Sequence, residues 1–147
     1  METLNVIINF NGGTYRPSLL CSIFATRRLF ESDMIMHCDD SEKLSAVRRA
    51  LASVKTADTV AEQSQKIFDF YHQIAIASGN AVTPLLILHF QSIYLTLGHW
   101  LLQSGYGTAL IHQMDAMLAV LLVGERDTTR QLNDKLIDFC LTSLLPD

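Results

Sequence analysis

His89 to Gly124 reads HFQSIYLTLGHWLLQSGYGTALIHQMDAMLAVLLVG, and Asp115 is the one formally charged residue in it. Charge is unevenly spread around this stretch. Residues 1–66 hold eight Lys/Arg and eight Asp/Glu, residues 67–124 hold only Asp69 and Asp115, and the last 23 residues hold three basic and five acidic groups. Residues without charge that recur at helical spacing belong on buried helix faces. The first third therefore reads as a mixed strand and helix part, residues 1–57, and the remainder as helical hairpins, residues 58–147. The expected fold is mainly α, an antiparallel helical bundle with a small N-terminal β element. At 147 residues one domain is expected.

Working outward, Thr83-Pro84 opens a helix, with Thr83 as candidate N-cap, that runs to about Gln103. It is apolar nearly all round (Leu85, Leu86, Leu88, Ile93, Leu97, Trp100, Leu101), as a buried central helix should be. Ser104-Gly105-Tyr106-Gly107 makes a tight turn into a helix over Thr108–Val123, which Gly124 stops. Thr128–Leu144 forms the last helix, with Leu132, Leu136, Phe139, Cys140 and Leu144 on one stripe. Upstream, Val60, Ile67, Phe68, Tyr71, Ile74 and Ala75 mark one face of a long helix from Thr59 to Ser78-Gly79-Asn80, where Gly is the expected left-handed stop. Short loops between these helices favour antiparallel neighbours. Ser41 with Glu42 opens a further helix carrying Leu44, Val47, Leu51 and Val54. Leu4–Phe10 (LNVIINF) is a β-branched run stopped by Asn11-Gly12-Gly13, which predicts a strand and a turn. Pro17 then starts a helix to about Phe30, with Leu20, Ile23, Phe24 and Arg27 at helical spacing, and Asp33–Cys38 (DMIMHC) reads as a second short strand.

Composition narrows the function classes. Hydrophobic residues make up 49% and charged residues 18%, below the roughly 25% charged of an average soluble domain. With a mean hydropathy of +0.22, the chain is expected to leave apolar surface for another polypeptide to cover. A net charge of −4 argues against direct nucleic-acid binding. Cys21, Cys38 and Cys140 are odd in number and lack C-x-x-C spacing, so a reducing compartment is expected, and METLNVIINF lacks the basic start of a secretory signal. The cytoplasm follows. Pro84–Leu102 is long enough to span a bilayer, but His89, Gln91, Ser92, Thr96, Gly98 and His99 are a heavy polar load in lipid, so no membrane span is expected.

No motif names a reaction. Asp69 with His72, and His112 with Asp115, lie three apart on single helices, and two such pairs meeting could hold a metal. The plainer expectation is that each histidine hydrogen-bonds its neighbouring carboxylate. His89 and His99 point to different helical faces and read as core histidines, while Cys21 and Cys140 read as small core residues and Met34, Met36, Met114 and Met117 as core packing. The doublets Arg27-Arg28 and Arg48-Arg49 sit among acidic neighbours and read as solvated faces. Catalytic residues, metal ligands and cofactors are all expected to be absent.

Asn11-Gly12-Gly13-Thr14-Tyr15-Arg16-Pro17 looks like the turn into the first helix of the phosphocarrier proteins of the sugar phosphotransferase system. Gly12, Arg16 and Pro17 match, but Thr14 stands where the phosphorylated histidine belongs, so the likeness implies no activity. As a whole chain, through NGGTYRPSLLCSIFATRRLF (11–30) and GHWLLQSGYGTALIHQMDAMLAVLLVGERD (98–127), the sequence resembles the HilE-like bacterial virulence regulators. That resemblance implies binding to an AraC-family transcription regulator and suppression of its activity, without catalysis, and it carries no functional residue across.

The residues themselves point to a non-enzymatic interaction module, a homo-oligomer such as a dimer or a hetero-oligomer, with Tyr94, Trp100, Tyr106 and Leu110 as candidate partner anchors around the hairpin tip. Two alternatives stand beside it. One is a helical small-molecule-binding domain lined by His89, His99 and Trp100, and the other is a type III secretion chaperone.

Overall fold

A computed structural model describes residues 16–39 and 41–146. Among them are seven helices: α1 (Pro17–Met36), α2 (Ser41–Thr56), α3 (Val60–Ala77), α4 (Thr83–His89), α5 (Gln91–Gln103), α6 (Gly107–Leu122) and α7 (Arg126–Leu144). The architecture is a helical bundle, with no strand among the described residues. The expected strand at Leu4–Phe10 and its Asn11–Gly13 turn lie outside them. Of the strand expected at Asp33–Cys38, Asp33 to Met36 are instead the last turn of α1, His37 is its C-cap and Cys38 follows. Glu31, Met34 and Ile35 continue the buried face set by Leu20, Phe24 and Arg27, and that continuity outweighs the local strand signal.

Packing runs in a closed ring in which α1 meets α3, α3 meets α2, α2 meets α6, α6 meets α7 and α7 returns to α1. Helix α5 lies against α3 and reaches α6 and α7, and α4 packs on α3. One hydrophobic core draws on all seven helices. Thr59 caps α3 by accepting the Glu62 amide at 3.0 Å. Gly79, Gly105 and Gly124 adopt φ of +76°, +90° and +83° just beyond α3, α5 and α6, so three of the turns rest on a conformation that side chains disfavour.

The single helix expected over Thr83–Gln103 is two helices, bent by 60° at Phe90. Phe90 takes φ −98°, ψ 3° and its ring stacks on Phe30 of α1 at 5.6 Å, so the break turns an aromatic side chain onto α1. The cap differs as well. Asn80 Oδ1 accepts the Val82 amide at 2.8 Å and the Thr83 amide at 3.4 Å, while Thr83 is the first helical residue. Past the bend, Gly98 lets α5 approach α3 so closely that a Cβ there would sit 2.7 Å from Ser64 Oγ. The Ser64 hydroxyl donates to the Leu95 carbonyl across the same crossing at 2.9 Å.

Candidate interaction surface

Two features distinguish this bundle: an ionic cluster in the core, and a row of apolar side chains outside it. Arg27 and Glu31 are one helical turn apart on α1, both buried, with Arg27 Nε donating to Glu31 Oε2 at 2.6 Å. The same carboxylate accepts from the Tyr94 hydroxyl of α5 and, at Oε1, from Asn133 Nδ2 of α7 at 3.0 Å. Asn133 Oδ1 in turn accepts from the Tyr71 hydroxyl of α3 at 2.8 Å. The guanidinium lies over three rings, 4.4 Å from the centre of Tyr94, 5.2 Å from Tyr71 and 5.3 Å from Phe24.

Burial works against the Arg27 charge, but Glu31 and the two neighbouring phenols outweigh it and leave its pKa well above the ordinary value. Burial first, and the Glu31 carboxylate second, push both phenols well above theirs. Three helices therefore meet on one carboxylate, and α3 joins them through Tyr71 and Asn133. Such a network adds direction to a core that hydrophobic contact alone leaves free to slide. Glu31 itself has no exposed surface, while Arg27 and Tyr94 of the same cluster line a groove described below.

Outside, α4 turns Thr83 and Ile87 to the core and leaves Val82, Leu85, Leu86 and Leu88 59%, 62%, 49% and 44% exposed. The reason is in the order of residues. Four apolar residues in a row, Leu85 to Leu88, cannot all face inward from a two-turn helix lying on one neighbour. Where α4 ends, an apolar groove of about 210 Å³ begins, walled by Leu19, Ile23 and Phe30 of α1 and by Phe90, Ile93 and Tyr94. Arg27 lies at its edge.

The expected anchors are distributed differently. Tyr94 and Leu110 are buried, Tyr94 against Glu31 and its aromatic neighbours, although Tyr94 also lines the α1–α5 groove. Tyr106 is half-buried with its ring edge-on to Phe139 at 5.8 Å. Trp100 is also half-buried and lines an open groove of about 570 Å³ between α3 and α5 with Ser64, Gln65, Leu95, His99 and Gln103. His99 is thus beside Trp100, whereas His89 is exposed at the end of α4 and is not part of that groove.

The carboxylate–histidine pairs do not converge. Asp69 accepts from Gln65, His72 stacks on Phe68, Asp115 pairs with Lys55 at 2.6 Å and His112 is exposed. Among the described residues no three His, Cys, Asp or Glu side chains gather where they could hold a metal. Cys21 is exposed rather than core, while Cys38 and Cys140 are buried. Met34, Met114 and Met117 are core, and Met36 is at the surface. Of the arginine doublets, Arg48-Arg49 is exposed as expected, and Arg28 pairs with Asp134 and Asp138 of α7. Arg27 is the correction, since the carboxylate one turn away lets it enter the core.

No single helix among the described residues is long and apolar enough to cross a membrane, although bent α4 and α5 reach that hydropathy together. Comparison with protein-family models and with curated proteins returns no match.

Proposed function

We propose that this protein acts by contact, as a cytoplasmic, non-enzymatic interaction module whose α4 face is covered by another polypeptide. The observation that carries this reading is the row Val82, Leu85, Leu86 and Leu88, left outside a core that had room for Ile87. Contiguous apolar patches of a few hundred Å² on a monomer are typical of interaction sites. Covering it takes apolar side chains out of water, the main driving force of protein association. The HilE-like resemblance supplies the particular partner, an AraC-family transcriptional activator that the module holds inactive. A secretion chaperone would use the same face on a different client.

The test is a pull-down of a tagged activator of that family from the native host, together with a reporter of its activity. Leu85→Glu/Leu88→Glu is expected to keep the melting temperature, lose capture by at least tenfold and release the reporter. Undiminished capture by the folded variant refutes the assignment of this face.

One observation favours a second reading. His99 and Trp100 share the open α3–α5 groove with Gln65 and Gln103, a mix of aromatic surface and amides suited to a small polar ligand. Trp100→Ala tests it, through loss of a co-purified compound from the native protein.

A further inference from the structure

The α1–α5 groove joins an apolar wall to a buried cation. Leu19, Ile23, Phe30, Phe90, Ile93 and Tyr94 form most of it, and Arg27 is the one charged residue in its lining among the described residues. Phe30 and Phe90 stack 5.6 Å apart across the junction of α1 with the α4–α5 bend, so aromatic faces bound it from two elements. Ser22 and Thr26 stand on the α1 side, but each spends its hydroxyl proton on its own helix, Ser22 on the Ser18 carbonyl at 3.0 Å and Thr26 on the Ser22 carbonyl at 2.9 Å. The Tyr94 hydroxyl gives its proton to Glu31.

We propose that this groove is a binding site for an uncharged apolar molecule, about one ring in size, that carries a single hydrogen-bond acceptor. Size comes from the volume. About 210 Å³ is below the roughly 300–1,000 Å³ of sites for drug-sized ligands, whereas an apolar cavity of about 150 Å³ is enough to take up benzene. A ring with a short substituent is what remains, and the rings of Phe30, Phe90 and Tyr94 suit its faces and edges. The acceptor follows from Arg27. A guanidinium carries five N–H donors and no acceptor, and the bond that holds it to Glu31 uses the Nε donor. A molecule that meets this part of the wall must therefore accept. The lack of charge follows from Glu31, which already balances Arg27 and has no exposed surface of its own. A carboxylate brought into the groove would be an uncompensated charge beside that pair. Val82, Leu85, Leu86 and Leu88 are not among the lining residues, so the site stands apart from the contact reading of α4.

The experiment is calorimetric titration of the full chain with three probes of similar size: acetophenone, ethylbenzene, which lacks the acceptor, and benzoate, which is charged. Acetophenone is expected to bind one per chain, about tenfold or more tightly than either of the others, the worth of one hydrogen bond to a charged donor. Ser22 and Thr26 are exposed, so Ser22→Trp and Thr26→Trp each place an indole over the groove with little demand on the core. Both are expected to abolish binding with the helices intact by circular dichroism. Trp100→Ala, in the α3–α5 groove, and Leu85→Glu/Leu88→Glu are expected to leave it unchanged. No heat from acetophenone at millimolar concentration overturns the proposal, as does binding that survives in both folded tryptophan variants. Ethylbenzene bound as tightly as acetophenone overturns the role of the acceptor, and benzoate bound more tightly overturns the uncharged class.

Discussion

Glu31 takes its three hydrogen bonds from Arg27, Tyr94 and Asn133, and each of those groups has no better acceptor at hand. Glu31→Leu therefore strands a buried guanidinium, and urea unfolding is expected to show a loss of about 3–5 kcal/mol. Arg27→Met/Glu31→Leu removes both charges and is expected to recover at least half of that. The Tyr94 hydroxyl and Asn133 amide remain without their acceptor, so recovery is incomplete. A double variant no more stable than Glu31→Leu contradicts the claim that the unpaired charge dominates. The sequence contained this pair in plain view. Arg27 shares a stripe with Leu20, Ile23 and Phe24, and Glu31 follows at i+4. What was not legible was that Tyr71, Tyr94 and Asn133, from three distant segments, would supply the remaining partners and make the burial tolerable.

The cysteines divide by the same physics. Burial pushes the Cys38 thiol up to about 12 and the Cys140 thiol to about 11, and Cys38 Sγ also donates to the Ile74 carbonyl at 3.4 Å. Cys21 is exposed. In the native protein at neutral pH a disulfide reagent is expected to modify one thiol quickly and the other two only after denaturant is added. Three equally fast thiols would mean that the α1–α3–α7 packing is looser than described.

At the level of elements, the short α4 and the close α3–α5 crossing carry most of what is particular to this fold. Gly98→Ala drives a methyl into Ser64 Oγ, and a loss of roughly 1–3 kcal/mol is expected. Ser64→Ala/Gly98→Ala leaves the new methyl in ordinary contact with Ser64 Cβ at 3.7 Å. It is expected to be more stable than Gly98→Ala alone, despite losing the bond to Leu95. Strict additivity of the two changes in thermal melts contradicts the crossing as drawn.

Helix starts and stops were legible wherever a local rule governed them, as at Pro17, Gly79, Gly105 and Gly124. The bend at Phe90 was not, because no breaker marks it in the sequence and the Phe30 ring that Phe90 stacks on is sixty residues earlier. The same holds for the last turns of α1, whose Met-Ile-Met run looks extended until its continuity with Glu31 is seen.

For the whole molecule, the nearly uncharged middle turns out to serve two purposes. Ile93, Leu97, Leu101, Leu110, Met114, Met117 and Leu121 are buried and build the core, as the spacing indicated. Just upstream, the apolar surplus is gathered on α4, where two turns are too few to hide it. Sequence pattern placed the candidate anchors around the hairpin tip, where Tyr94 and Leu110 are buried and Trp100 and Tyr106 are half-buried.

The core also sets how the fold responds to alkali. Tyr71, Tyr94, Cys38 and Cys140 all keep their protons to higher pH when folded than when unfolded. Their contribution is complete below the unfolded values, about 8.5 for Cys and 10 for Tyr. It is lost as pH rises above them, by up to about 1.4 kcal/mol per unit for each group titrating. The urea midpoint is expected to hold at pH 8 and to fall clearly by pH 10.5, and a flat profile would contradict the dry core.

The central claim is that the α4 row is covered when the protein is at work. Hydroxyl-radical footprinting of Leu85, Leu86 and Leu88 tests it, comparing dilute purified protein with the same protein inside its native cell. Labelling several-fold weaker in the cell, normalised to exposed Leu29, is the result the account predicts. Equal labelling in both settings contradicts it.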